Sequence, residues 1–429
     1  MFTLRNIDWK KVGLIGGFLL ICILIGVGIY TLFFKPVVTP IGEKIDEIEI
    51  TQLPGVEPGT QPGITTGDKP GDYVYDLTSK EDEAEKKSVI KIPGPTDEKI
   101  DEVAKGGITR VNTIDFEKTS KITLSNNGNV LISYNPDTGK FYELKTDGTK
   151  TPLTDKVFKQ VESVDWAPSK TEAILEFPDG TNIYYDFEKD KQISLPKDWT
   201  DFTFNQSSSQ IAFKDLPNNE DFRFLASANP DGSNQKYLEY IGDEARNFIT
   251  DWSPNNKMVA QFKNGKDGEH STIYFLGQYD ERFKSITVNG YGVETKWVPD
   301  GSKLVYSAHN MHSDHKPTLH IVDASGDNVG KNHYDLKLHT WVDKCTFQGK
   351  TTMYCAVPKE MPYGAGLVPR LTDDIGDYIY KVDLKTGVKS FVAEPEYDYN
   401  IEEMQVSDDG SSLFFTGKDG YGINEIKLK

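Results

Sequence analysis

Six of the seven histidines fall between His309 and His339, and three of them share the run His309-Asn-Met-His312-Ser-Asp-His315. Imidazoles this close, with Asp314 beside them, are the side chains a borderline-soft divalent metal would use. The spacing matches no strict ligand pattern, so His309, His312 and His315 stand as weak metal candidates against the alternative of a polar loop between two strands, and no metal or other cofactor is called for. Cys345 and Cys355 lie five residues either side of Lys350. A hairpin centred on Lys350 puts them opposite one another on neighbouring strands, with Cβ atoms ~4.5–5.5 Å apart, near disulfide range. That bond would be structural, and two free buried thiols are its alternative.

Other chemistry is not encoded. There is no Gly-x-Ser-x-Gly elbow for a hydrolase nucleophile, no phosphate-cradling Gly-x-x-x-x-Gly-Lys-Ser/Thr and no His-Glu-x-x-His. The Asp-Gly turns lack the spacing of a calcium loop. Acid pairs such as Asp373/Asp374 and Asp408/Asp409 sit where strand turns ordinarily carry acids. The longest interruption of strand-like sequence, 357–377, carries Tyr363, Leu367 and Arg370. These residue types anchor protein interfaces, and long loops on rigid scaffolds tend to bind. They are the partner-binding candidates, the alternative being a loop that only covers the end of the domain.

The elements that position these residues follow a repeated phrase. An apolar or aromatic anchor is followed by a turn of Ser, Pro, Asn, Asp and Gly, and then by a β-rich strand. The anchors are Leu124, Trp166, Phe204, Trp252, Trp297, Phe347 and Val406, spaced by 42, 38, 48, 45, 50 and 59 residues. Periods of this length with four strand signals each predict propeller blades. One such sheet is too thin to bury both faces, so blades must cover each other around an axis. Trp166, Trp252 and Trp297 are therefore expected in the blade cores rather than on a binding surface. Thr146-Asp-Gly and Lys385-Thr-Gly read as hairpin turns. The last phrase has only three strands. A lone strand at 108–116 is expected to supply the fourth by pairing with 423–428, which closes the ring and removes a sheet edge.

The phrases Trp252-Ser-Pro-Asn-Asn-Lys-Met-Val-Ala and Trp297-Val-Pro-Asp-Gly-Ser-Lys-Leu-Val-Tyr resemble the Trp-Ser-Pro-Asp-Gly repeat of WD40-like propellers of the Tol-system type, also found in prolyl-oligopeptidase-like propeller domains. The resemblance spans about 107–429, and three blades depart from it, with Phe204, Phe347 and Val406 replacing Trp. It implies a seven-bladed β-propeller, with six or eight blades as alternatives, and a role in binding proteins or cell-envelope components without chemistry of its own.

Upstream, residues 12–34 are uncharged and apolar. As a helix this run is ~35 Å long, enough to cross a ~30 Å hydrocarbon core. Arg5, Lys10 and Lys11 precede it and predict a cytoplasmic N-terminus at 1–11. No small-x-small cleavage site ends the run, so an uncleaved single-pass anchor is expected. Residues 35–107 alternate Pro-Gly pairs with acids and predict a flexible stalk. Within it, Thr96 could cap a short helix over 95–105. The propeller then fills 108–429. A net charge of −18 excludes nucleic acid as a partner.

The expected function is a non-enzymatic, membrane-anchored, extracytoplasmic (periplasmic or extracellular) protein-binding or scaffold module. Its rivals are a hydrolase or lyase acting on a sugar or ester at the axial funnel, and a ligand-binding sensor. Converging carboxylates in the funnel favour the enzyme; an apolar or Tyr-rich rim favours binding.

Overall fold

The computed structural model describes residues 99–265, 267 and 269–429. The cytoplasmic, membrane-helix and most of the stalk assignments (1–98) lie outside the described residues.

Seven sheets succeed one another along the chain, each with four antiparallel strands and one of them with a fifth, parallel strand. Blade one is 120–152, two 163–195, three 199–240, four 248–289, five 291–335 and six 345–395. Blade seven combines 401–427 with Asn112–Lys118. The first strand of each blade is innermost, and the innermost strands of blades two and three, three and four, six and seven, and seven and one touch.

The second strands show why the sheets must stack. In Glu172–Glu176, Ala173 and Leu175 join the cluster around Tyr134 and Phe141 of blade one, while Ile174 joins that of Trp199 and Phe213 in blade three. Alternate side chains point to opposite faces, and here both faces are covered. Lys303–His309 repeats the pattern, with Val305 packed toward blade six and Leu304 and Tyr306 toward blade four. Apolar clusters fill all seven gaps between blades, and only the gap between blades three and four is split in two.

The turn after each anchor has a backbone reason for its composition. The fourth residue past the anchor has positive φ in six blades: Gly128, Lys170, Ser208, Asn256, Gly301 and Gly410, at 58–67°. Gly and Asn enter this region at least cost. Side chains tie the loop: Ser253 Oγ accepts from the amide of Met258 at 2.9 Å, and Ser407 Oγ from that of Ser412 at 3.0 Å. Both expected hairpin turns form, around Gly148 and Gly387.

Closure differs in detail from the expected single strand at 108–116. The segment divides at Arg110. Asn112–Lys118 pairs antiparallel with Tyr421–Lys427 as the outer strand of blade seven, while Gly107–Thr109 runs parallel to Lys389–Pro395 as a fifth strand on blade six. Val111 at the division donates its amide to Glu396 at 3.0 Å. No helix forms over 99–105. Instead Asp101 bridges Thr109, and the amide of Ala104 donates to Lys427 O at 2.8 Å, while the expected cap Thr96 lies outside the described residues.

Cys345 and Cys355 are directly paired in register and their sulfurs are bonded. Replacing both with Ser is expected to cost about 2–3 kcal/mol, the loop-closure entropy of a ten-residue separation. Thermal unfolding in non-reducing buffer checks it; a wild type whose Tm ignores dithiothreitol would count against the bond.

Candidate functional site

The 2–3 loops and the connections between blades share one end of the propeller. There the two regions singled out in the sequence meet. The blade-five loop 310–317 and the blade-six insertion 359–376 are joined by backbone hydrogen bonds, from Gly364 N to Asp314 O at 2.9 Å and from Gly366 N to His315 O at 2.7 Å. Gly366 is required by closeness: a Cβ there would lie 2.5 Å from the His309 ring.

The insertion is clamped along its length. At its start Lys359 pairs with Glu394 at 2.6 Å and Asp398 at 2.8 Å. Toward its end Asn400 Nδ2 donates to the carbonyls of Thr372 and Asp373 at 2.7 and 2.9 Å. Asp373 also pairs with Lys418 of blade seven. Just past it, Asp377 is fully buried against Lys344 at 2.8 Å and accepts from the amide of Ile401 at 2.7 Å. Burial pushes the Asp377 carboxyl up, opposed by the Lys344 ammonium.

On this braced loop the apolar candidates face solvent. Tyr363 is 71% and Leu367 56% exposed, and Val368, Leu371 and Arg370 are also exposed. Met311, across the junction, is 72% exposed. Two of the three histidine candidates come together beneath. His309 and His315 rings are 5.9 Å apart, Tyr291 Oη lies 3.2 Å from His315 Nδ1, and the His315 ring is 6.0 Å from that of Tyr363. His309 is buried, its Nδ1 has no hydrogen-bond partner among the described residues, and burial, then the neighbouring His315, lowers its pKa. His312 lies on the short 3₁₀ turn Met311–Ser313 instead. Among the described residues no group of three His, Cys, Asp or Glu side chains has metal-holding geometry. His320 and His333 form a second group around Tyr306, with His320 stacked on that ring at 4.9 Å and burial lowering its pKa to about 4.

The axis carries a second feature that the sequence did not announce. Innermost and second strands bring Asp165, Glu176, Asp201, Glu294 and Glu403 around the ring, with Asp251 one residue past its strand, interleaved with Lys121, Lys214, Lys263 and Lys296. Bulges recur in the innermost strands of blades one, three, five and seven, with Lys121 and Asp201 at positive φ. Bulges re-aim side chains, and those of blades three and seven aim Asp201 and Glu403 at the next blade. Glu403 accepts from the amides of Lys121 and Ile122 at 3.1 and 2.8 Å. Asp201 accepts from the amide of Thr250 at 3.0 Å and pairs with Lys214. Glu176 accepts from Thr200 Oγ1 at 2.9 Å, and Lys296 Nζ donates to Cys345 O at 2.6 Å. These charges staple blade to blade.

Desolvation raises the pKa of Asp251 and Glu294 to about 7, the first eased by Lys263 and the second raised further by Asp343. Carboxyls poised near neutrality can donate protons, so these side chains have the acidity an enzyme would use; both oxygens of Glu403 and one each of Glu176 and Asp201 are engaged in staples between blades, while Asp165 Oδ2 is buried with no hydrogen-bond partner among the described residues. A folded-state pKa above the ordinary carboxyl value means stability that is full below pH ~4 and is lost as pH rises through 7. Asp251→Asn is therefore expected to flatten the fall in urea midpoint between pH 5 and 8, and to exceed wild type at pH 8. An unchanged slope would assign the pH dependence elsewhere.

With this geometry in place, the class is clear: a seven-bladed β-propeller. No family model and no curated protein matches the chain. Solved structures do. The chain is similar to hydrazine synthase from Kuenenia stuttgartiensis, with 10% identity and TM-score 0.50, over 73% of this chain and 96% of that one. It is also similar to the Cps50 (Swd1) β-propeller domain of Myceliophteria thermophila (12%, TM-score 0.49, 74% and 100%) and to an oligogalacturonate lyase in complex with manganese (13%, TM-score 0.46, 74% and 93%). At 10% identity the likeness to hydrazine synthase shows the fold alone.

Proposed function

We propose that this chain is a membrane-anchored, extracytoplasmic propeller that binds a protein partner of the cell envelope through the platform at blades five and six. The observation that carries the reading is the exposure of Tyr363 and Leu367 on a loop clamped to three blades. A surface ordered before binding spends little interaction energy on ordering itself, and exposed aromatic and aliphatic anchors are what hot spots use. The uncharged run at 12–34 supports the anchor, and the Cys345–Cys355 bond supports an oxidising compartment. The resemblance of the Trp-Ser-Pro phrases to WD40-like repeats agrees with a binding role.

Photocrosslinking in intact cells tests it, with the probe amino acid at position 363 or 367 and, as controls, at the exposed positions Val388 and Tyr421. The platform positions are expected to give a discrete adduct that the controls do not, lost on Leu367→Asp when the probe is at 363. Equal labelling from all four positions, or adducts only between copies of this chain, would sink the proposal.

A further inference from the structure

The gap between blades three and four, whose apolar core is split, holds a cavity of about 560 Å³. Its floor is a row of rings across three successive strands of blade four. Phe248 pairs with Phe262 and Phe262 with Tyr274 in register, with centroids 4.6 and 5.9 Å apart. Blade faces are normally covered by the neighbouring blade. Here blade three covers only the inner end: Phe248 is buried, whereas Tyr274 is 43% exposed. Tyr240, the last residue of the outer strand of blade three, lines the opposite side.

The charge at the mouth is one-sided. Glu239, Asp243 and Glu244 line it against the single cation Arg282, giving three negative charges and one positive, a net −2. Arg282 is committed to Glu239 at 2.5 Å and to Asp280 at 3.3 Å. Asp243 and Glu244, both exposed on the 3₁₀ turn Gly242–Asn247, have no ion-pair partner among the described residues.

Ring faces carry negative quadrupole density and attract cations, most strongly alkylammonium groups too weakly hydrated to prefer water. Carboxylates at the rim add attraction for the same charge and repel anions. We infer that this cavity is a binding site for an alkylammonium cation, with the apolar substituents on the Phe262–Tyr274 rings and the charge facing Asp243 and Glu244. The site is separate from the blade-five and blade-six platform and does not depend on it.

The test uses the full-length protein and ligand-observed NMR with choline, Nα-acetyl-lysine amide and 3,3-dimethylbutan-1-ol, the uncharged isostere of choline. At least one of the two cations is expected to bind saturably, about tenfold or more tighter than the isostere. Whichever binds more tightly tells a quaternary head group from a lysine side chain, and either supports the site. Tyr274→Ala is expected to abolish the binding, and Asp243→Asn with Glu244→Gln to weaken it about three- to tenfold. All three positions are exposed, so folding should survive, and an unchanged circular dichroism melt checks it. Equal binding of the isostere, no saturable binding of either cation, or full binding by a folded Tyr274→Ala variant would overturn the assignment.

Discussion

Asp377→Ala is expected to cost about 3–5 kcal/mol, because it strands the Lys344 ammonium in the interior without its counter-ion. The carboxylate is fully buried and holds Lys344 through both oxygens, at 3.0 and 2.8 Å, as well as the amide of Ile401. Once it is gone, Asn400 Oδ1 at 3.1 Å is the side-chain acceptor left to that ammonium. The double change Lys344→Met with Asp377→Leu should recover most of the loss, since an apolar pair of similar size needs no compensation. Urea unfolding of the three proteins decides it. If the double variant falls as far as the single one, the cost lies in shape rather than in charge. The single variant should also loosen the platform, because Asp377 opens the strand that leaves the insertion, and limited proteolysis within 359–376 would report that.

Trp297→Ala should lower stability by a comparable amount, about 3–5 kcal/mol, as a large ring leaves a packed site that cannot collapse. Trp297 is buried in the cluster with Met258, Ile273, Leu304 and Tyr306, 5.7 Å from the Phe275 ring. Its Nε1 donates to Asp251 O across the gap between blades four and five. Trp297→Phe keeps most of the burial and loses the hydrogen bond, so about 1 kcal/mol is expected. Calorimetric Tm values for both variants check the pair, and equal effects would mean that the hydrogen bond outweighs the packing. The other tryptophan anchors also pack between blades: Trp252 lies beside Ala212 of the preceding blade, and the half-buried Trp166 packs against Phe141 and Phe187.

How much could be read in advance follows from how local each feature is. The anchors and their turns were legible because a strand, a tight turn with one positive-φ residue and a second strand occupy about a dozen consecutive positions. The disulfide was legible because hairpin register is arithmetic around Lys350. The insertion and its exposed Tyr363 and Leu367 were legible as a break in strand pattern. What holds the insertion was not, since Glu394, Asp398, Asn400 and Lys418 reach it from blade six, blade seven and the connection between them. The split of 108–116 between two blades also escaped, because nothing in the segment says which sheet edge lies nearest. The axial acids look like ordinary strand residues. Only the ring brings Glu403 to the amides of Lys121 and Ile122, more than 280 positions away in sequence. His312 was grouped with its neighbours by spacing alone, while the 3₁₀ turn sets it apart from His309 and His315.

The seam of the ring has a consequence for biogenesis. Thr113 Oγ1 donates to Asn424 across 311 residues, so the outer strand of the closing blade waits until Tyr421–Lys427 is translated before it has a mate. Until then the nascent protein carries two unmated strand edges and must cross its slowest, highest-entropy step last. Shortening the chain by even the final strand would leave Asn112–Lys118 unsatisfied, and such edges are where half-made β proteins associate with one another.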